Sequence, residues 1–168
     1  MFNEDDIAKI PANKLHILRR RVGTVFQDFK LLLNRTVFEN VALSLEVLKR
    51  SEAEIEKEVS EALEKVGILE KADYFPSQLS GGEVQRTAIA RAIVSKPEVL
   101  LADEPTGDLD PKTAEQVVEL LEKINKDGTT VIMATHNSTI VNKFKKRVIS
   151  LKGGKIEKDA KEGKYESD

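Results

Sequence analysis

The chain has no cysteine, and no apolar run in it approaches the roughly 18 residues that a membrane-spanning helix needs. The first absence excludes disulfides and thiolate-held metals and suits a reducing compartment. The second, with no apolar signal core after Met1-Phe2-Asn3-Glu4, leads to the expectation of a cytoplasmic chain. Net charge is nearly absent too: 27 basic residues stand against 29 acidic ones, so no global field argues for nucleic acid or for an anionic membrane surface. Also missing is the usual phosphate cradle, G-x-x-x-x-G-K-[S/T], since Gly154-Lys155 and Gly163-Lys164 are followed by Ile156 and Tyr165. There are no internal repeats.

A length of 168 residues with 40% hydrophobic content suits one domain with one sizeable core. Pro11 can open a short helix ending in Arg19-Arg20-Arg21, a solvated basic end, and Val22 to Phe26 reads as a short strand with Gln27 in the loop after it. Apolar residues fall at helical spacing from Val37 to Leu48. A second helix follows Ser51, with Glu54 as its capping-box partner and Gly67 as its C-cap. Ser80 and Glu83 repeat that box at the start of a helix reaching about Ser95, which puts Gly81 and Gly82 among free N–H groups. "EVLLADE" is an apolar run ending in two acids, the pattern of a parallel strand buried on both faces. Asp110-Pro111 starts a helix that Gly128 ends, and "TTVIMAT" is a second buried strand before His136. Arg147 to Glu157 reads as a hairpin turning at Gly153-Gly154, and residues 158–168 as a polar, disordered tail.

Ligands of open α/β sheets gather beyond the C-terminal ends of the strands. Three strands here end in polar groups at that edge: Gln27, then Asp103-Glu104, then His136. Consecutive acids after an apolar strand suit metal-assisted phosphoryl transfer, with Asp103 holding Mg²⁺ through its water shell and Glu104 activating the attacking water. His136 is placed to contact a γ-phosphate. Taken singly, an acid pair, a loop glutamine, a histidine after a strand and a Ser-Gly-Gly cap are ordinary structural features. Their joint occurrence in one order, each at a strand edge or helix start, is what carries the chemistry.

These residues resemble the ATP-binding cassette (ABC) ATPases. "LSGGEVQR" looks like the family's signature, "VLLADEPTGDLD" like its Walker B segment and D-loop, Gln27 like the Q-loop and His136 like the switch histidine. With "VFQDFKLLLNRTVFENVAL" and "MATH", the resemblance covers nearly the whole chain up to the tail and is nearest the cell-division branch, with lipoprotein- and macrolide-export ATPases as competitors. The resemblance implies an α/β fold: an incomplete P-loop NTPase core with a parallel sheet over 1–157 and a helical signature subdomain over about 30–95. It implies ATP and Mg²⁺ as cofactors. Glu104 would be the catalytic base, His136 the γ-phosphate sensor, Asp103 and Gln27 the Mg²⁺ residues. Ser80, Gly81, Gly82 and Gln85 would bind nucleotide held by a second subunit, with Asp108 and Asp110 at the dimer interface.

The implied partners are a second ATPase subunit and a permease-like integral membrane subunit, with no nucleic acid; the chain would sit on the inner face of the cell membrane through that subunit. Some of Phe29, Leu31, Leu32, Leu33 and Phe38 would line a groove for a helix of the membrane subunit, the others being local core. The family's first strands, its adenine-stacking aromatic, its P-loop and the helix after it are expected ahead of Met1, about 50 to 60 residues in all. Without them the 168 residues are not expected to bind ATP usefully alone. The alternative to an ATPase subunit is a non-hydrolysing binding or regulatory half. DNA-associated relatives would need long heptad segments, and the chain has none.

Overall fold

The computed structural model describes residues 6–163, which divide into two compact units between Ala134 and Thr135. In the first unit a short helix α1 (Leu15–Arg20) leads into strand β1 (Val22–Val25), and helices α2 (Val37–Val47), α3 (Glu52–Val66) and α4 (Gly81–Ile93) follow. The chain then alternates: β2 (Val99–Asp103), α5 (Pro111–Lys126), β3 (Thr130–Ala134). The strands form one parallel sheet in the order β1-β2-β3.

Helix starts are set by local chemistry. Thr36, Ser51 and Ser80 each accept the N–H of a glutamate three residues on, and that glutamate's carboxylate accepts the cap residue's N–H in return. Asp110 accepts from the N–H groups of Lys112 and Thr113, and Pro111 at the first helical position has no N–H to satisfy. The third arginine of the basic run is half-exposed and paired, where the sequence suggests only a solvated helix end. Arg21 holds Glu98 in a fork of 2.6 and 2.9 Å, and its carbonyl accepts the Glu98 N–H, so the first turns of β1 and β2 are pinned together.

The core lies between α2, α3, α4, α5 and one face of the sheet, where Val25, Leu100 and Ala102 are buried with Ile89, Ala92, Ile93, Val117 and Leu121. The expectation that β2 and β3 are buried on both faces is not met. Their burial alternates, and Leu101 and Ile132, neighbours across the register, are 39% and 56% exposed. An apolar run states a preference for burial on both faces. It does not report which segment does the covering.

Asn40 is a buried polar residue with full use of its amide. Its Nδ2 donates to the carbonyls of Leu32, Arg35 and Thr36, and its Oδ1 accepts the Leu32 N–H at 2.8 Å. This one side chain therefore shapes the loop after Gln27. Within that loop Phe29 and Leu31 are half-buried and Phe38 packs on the core, while Leu33 is 73% exposed.

The second unit contains α6 (Ser138–Phe144), capped by Asn137, and the antiparallel hairpin β4 (Val148–Lys152) and β5 (Lys155–Ala160). Gly153 and Gly154 both have positive φ (57° and 75°), as a two-residue hairpin turn requires. The polar tail expected from residue 158 starts later, because Lys158–Ala160 complete β5 and Arg147 grips Asp159 at 2.7 and 2.9 Å across the hairpin. Residues 164–168 of the expected tail lie outside the described residues.

Asn40→Ala is expected to cost about 2–4 kcal/mol, since it strips partners from several loop carbonyls and one N–H at once. Urea denaturation checks this, and an unchanged midpoint would show that water replaces the amide freely. Leu101→Thr with Ile132→Thr is expected to reduce concentration-dependent association of the chain while leaving its thermal midpoint within a few degrees, as read by light scattering and calorimetry.

Candidate functional site

The Ser-Gly-Gly segment stands at the N-terminus of α4, with Ser80 and Gly81 exposed. Its two glycines have different reasons to be there. A Cβ on Gly82 would lie 2.7 Å from the Thr113 methyl group, so Gly82 lets α4 close on α5; one on Gly81 would meet only Leu109 at 3.6 Å, an ordinary contact. Gly81 is thus free of any packing demand. The segment opens on a cleft of about 380 Å³ whose walls also include Glu83, Arg86, Asp108 and Asp110. Asp110 is the N-cap of α5, and the hydroxyl of Thr113, then its N–H, hold its carboxyl below the usual aspartate range.

The anion seat of α4 is already engaged by its own carboxylate. Glu83 Oε2 accepts both the N–H and the hydroxyl of Ser80 at 2.8 Å, and the Lys71 ammonium lies 3.5 Å from Oε1. The Ser80 N–H, then its hydroxyl, hold the Glu83 carboxyl below its ordinary value near 4.5, with Lys71 adding to them against partial burial.

At the sheet edge Asp103 ends β2 and is exposed, and Glu104 follows it half-buried in a left-handed conformation at φ 43°. A non-glycine residue in that region is held there by its surroundings. The Glu104 N–H bonds to the Ala134 carbonyl of β3, and its carbonyl accepts the Gly107 N–H. Gln27 comes to the same turn: a Cβ on Gly107 would lie 3.7 Å from Gln27 Nε2 and 3.8 Å from Glu104 Cβ. The fold therefore brings Gln27 to the loop carrying the acid pair. His136 belongs to the second unit, where it is exposed between Thr135 and the Asn137 cap of α6.

Mg²⁺ prefers hard oxygen donors and retains several of its waters. A carboxylate at Asp103 and an amide oxygen at Gln27 are donors of that kind. Among the described residues no three of His, Asp and Glu gather into a metal-holding group. Asp103 and Gln27 could give such an ion one or two oxygens at most, and phosphates and water would have to supply the rest.

Gln85 departs from expectation. It is 1% exposed, and its Nε2 donates 2.8 Å to the Pro105 carbonyl, so it points into the chain and away from any nucleotide over Ser80. Its spacing to Ala88, Ile89 and Ala92 already placed it on the buried face of α4. Arg91 and Asn40 escaped sequence reasoning altogether. The signal for Arg91 was a guanidinium inside the apolar run "AIARAIV", which needs a buried partner.

A profile of the family described as ABC transporter matches residues 1–107. The chain belongs to the ABC transporter family. The cell division ATP-binding protein FtsE of Bacillus subtilis (strain 168) is 53% identical over 167 residues, covering 99% of this chain and 73% of that protein. The FtsE of Escherichia coli (strain K12) is 47% identical, covering 92% of this chain and 70% of that protein. Among solved structures, a dimeric ATP-binding cassette in a post-hydrolysis state with ADP and Pi superposes with a TM-score of 0.79 at 39% identity, covering 94% of this chain and 70% of that one. The three-stranded parallel sheet with its helical signature segment is ABC ATPase architecture, and by family the chain is an ABC-type ATPase.

A carboxyl whose folded pKa is depressed stabilises fully above its unfolded value and loses that contribution as pH falls through the folded one. The contribution of Glu83 to the start of α4 is therefore complete above about pH 4.5 and is lost as pH falls from there through its lowered folded value. Glu83→Gln is expected to lower stability at pH 7 and to narrow its gap to the unsubstituted chain on acidification. Thermal melts across that range check this, and a constant gap would remove the carboxylate from the cap.

Proposed function

We propose that the chain is the ATPase subunit of a cell-division ABC complex of the FtsE type and that its signature serves a nucleotide held by a second subunit. The observation that carries the reading is the composition of the cleft. Its wall contains Ser80–Gly82 with Asp108 and Asp110, but none of Gln27, Asp103 and Glu104. A phosphate seated over Ser80 thus lies apart from this chain's own acid pair, as expected if it arrives with another subunit. The relatives named for cell division and the cassette dimer with ADP and Pi support the same arrangement.

In this reading Glu104 is the catalytic base for nucleotide bound at its own sheet edge, with Asp103 and Gln27 supplying Mg²⁺ ligands and His136 sensing the γ-phosphate. Asp108 and Asp110 face the partner ATPase subunit. The exposed Leu32 and Leu33, on the loop that Asn40 shapes, offer apolar contact to a permease-like membrane subunit of the FtsX kind. The chain would work at the inner face of the cell membrane through that subunit.

The test uses mixed dimers of this chain with a full-length family subunit carrying its own phosphate cradle. Gly81→Asp here adds a carboxylate where the structure has room for one, so loss of turnover reports repulsion of phosphate and not misfolding. ATP hydrolysis at the full-length subunit's phosphate cradle is expected to fall by at least about 100-fold, whereas Glu104→Gln in this chain changes it by less than about twofold, since that site takes its base from the full-length subunit. Equal sensitivity to both substitutions would overturn the assignment across subunits.

A further inference from the structure

Left-handed non-glycine residues cost energy and persist only where something holds them. Three of them, Phe29 (φ 57°), Lys30 (φ 49°) and Glu104 (φ 43°), lie in the loops carrying Gln27 and the acid pair. One helix bonds to the first two directly and to the neighbour of the third. Arg91, on α4, donates from Nη2 to the Phe29 carbonyl and from Nη1 to the Lys30 carbonyl, each at 2.7 Å. Gln85, six residues earlier on α4, donates to the carbonyl of Pro105, the residue after Glu104.

Neither side chain is needed there for packing alone. Burial weakens the hold of Arg91 on its proton, and an aliphatic residue would fill the same space without that cost. Gln85 leaves its Oε1 without a partner, as does the buried Thr106 hydroxyl in the loop it grips. A polar group retained at such a cost is retained for the bond it makes.

We infer that α4 is a strut between the signature at its N-terminus and both nucleotide-facing loops of its own chain, with Arg91 the positioning residue for the Gln27 loop and Gln85 that for the Glu104 loop. Contact at Ser80–Gly82 is thereby transmitted to the opposite site through one rigid element. The identity of the loops as nucleotide-facing rests on the function proposed above; the strut itself does not.

The test is hydrogen exchange on the whole 168-residue chain and three variants. In Arg91→Ala the amides of Phe29 and Lys30, which bond to the Phe26 and Asp28 carbonyls, are expected to exchange at least about tenfold faster, with α2 and α3 unchanged. Arg91→Lys, which reaches one carbonyl at a time, is expected to give an intermediate rate. Gln85→Met keeps the volume and removes the donor, so it is expected to loosen the Gly107 and Leu109 amides and leave residues 29 and 30 alone. Uniform loosening of all helices, or none at either loop, would overturn the strut. A second arm adds a full-length family subunit loaded with Mg²⁺ and ATP. Protection is then expected to rise at both loops of the unsubstituted chain, at only the Glu104 loop in Arg91→Ala, and at only the Gln27 loop in Gln85→Met. Loop-specific loosening without any response to the loaded subunit would support the strut and overturn the reading across subunits.

Discussion

The closeness of α4 to β1 is the constraint from which the rest of the first unit follows. A Cβ on Gly23 would stand 2.3 Å from the Ala92 carbonyl, a distance no packed structure tolerates, so helix and strand meet backbone to backbone. That approach fixes the height of α4 above the sheet. Height and rotation together decide that Ile89, Ala92 and Ile93 fill the core, that Gln85 reaches the end of β2, and that Arg91 reaches the exit of β1. A helix lying a side chain's width further out would keep its capping box and lose both grips.

The same geometry sorts what could be read in advance from what could not. Capping boxes at Ser51 and Ser80, the Asp110-Pro111 start and the Gly153-Gly154 turn were legible because each is a local contest for a few N–H groups, settled within four residues. The acid pair and Gln27 were legible as strand-edge residues because apolar runs end where water begins. The inward turn of Gln85 was available in the helical period but was overridden by its place in the signature. What stayed hidden depends on partners distant in sequence: Arg91 and the carbonyls of Phe29 and Lys30 are separated by 62 and 61 positions, and no local pattern names them. The open face around Leu101 and Ile132 was hidden for another reason. Hydrophobicity states a preference for burial and says nothing about what provides it.

Three carboxylates of the first unit share one arrangement. Glu54, Glu83 and Asp110 all sit at helix starts with their carboxyls held below the ordinary range by N–H and hydroxyl donors. Two of these helix starts, those of α4 and α5, frame the cleft over Ser80. Dipole and donors there favour negative charge, and the chain has supplied its own.

That internal supply makes the seat selective. The Glu83 carboxylate is tethered three residues from Ser80, so its effective concentration at the serine donors is in the millimolar range or above. Free acetate, chloride or a metabolite carboxylate at lower concentration competes with an anion that is always present and brings no further contacts of its own. A phosphate chain presented on a second surface competes differently, since it arrives tethered as well and with more charge. As it takes the Ser80 donors, the displaced carboxylate still has the Lys71 ammonium beside it and is not stranded. If the signature serves a second subunit's nucleotide as proposed, the cap would act as a filter against small diffusing anions, and its opening would exchange one set of partners for another.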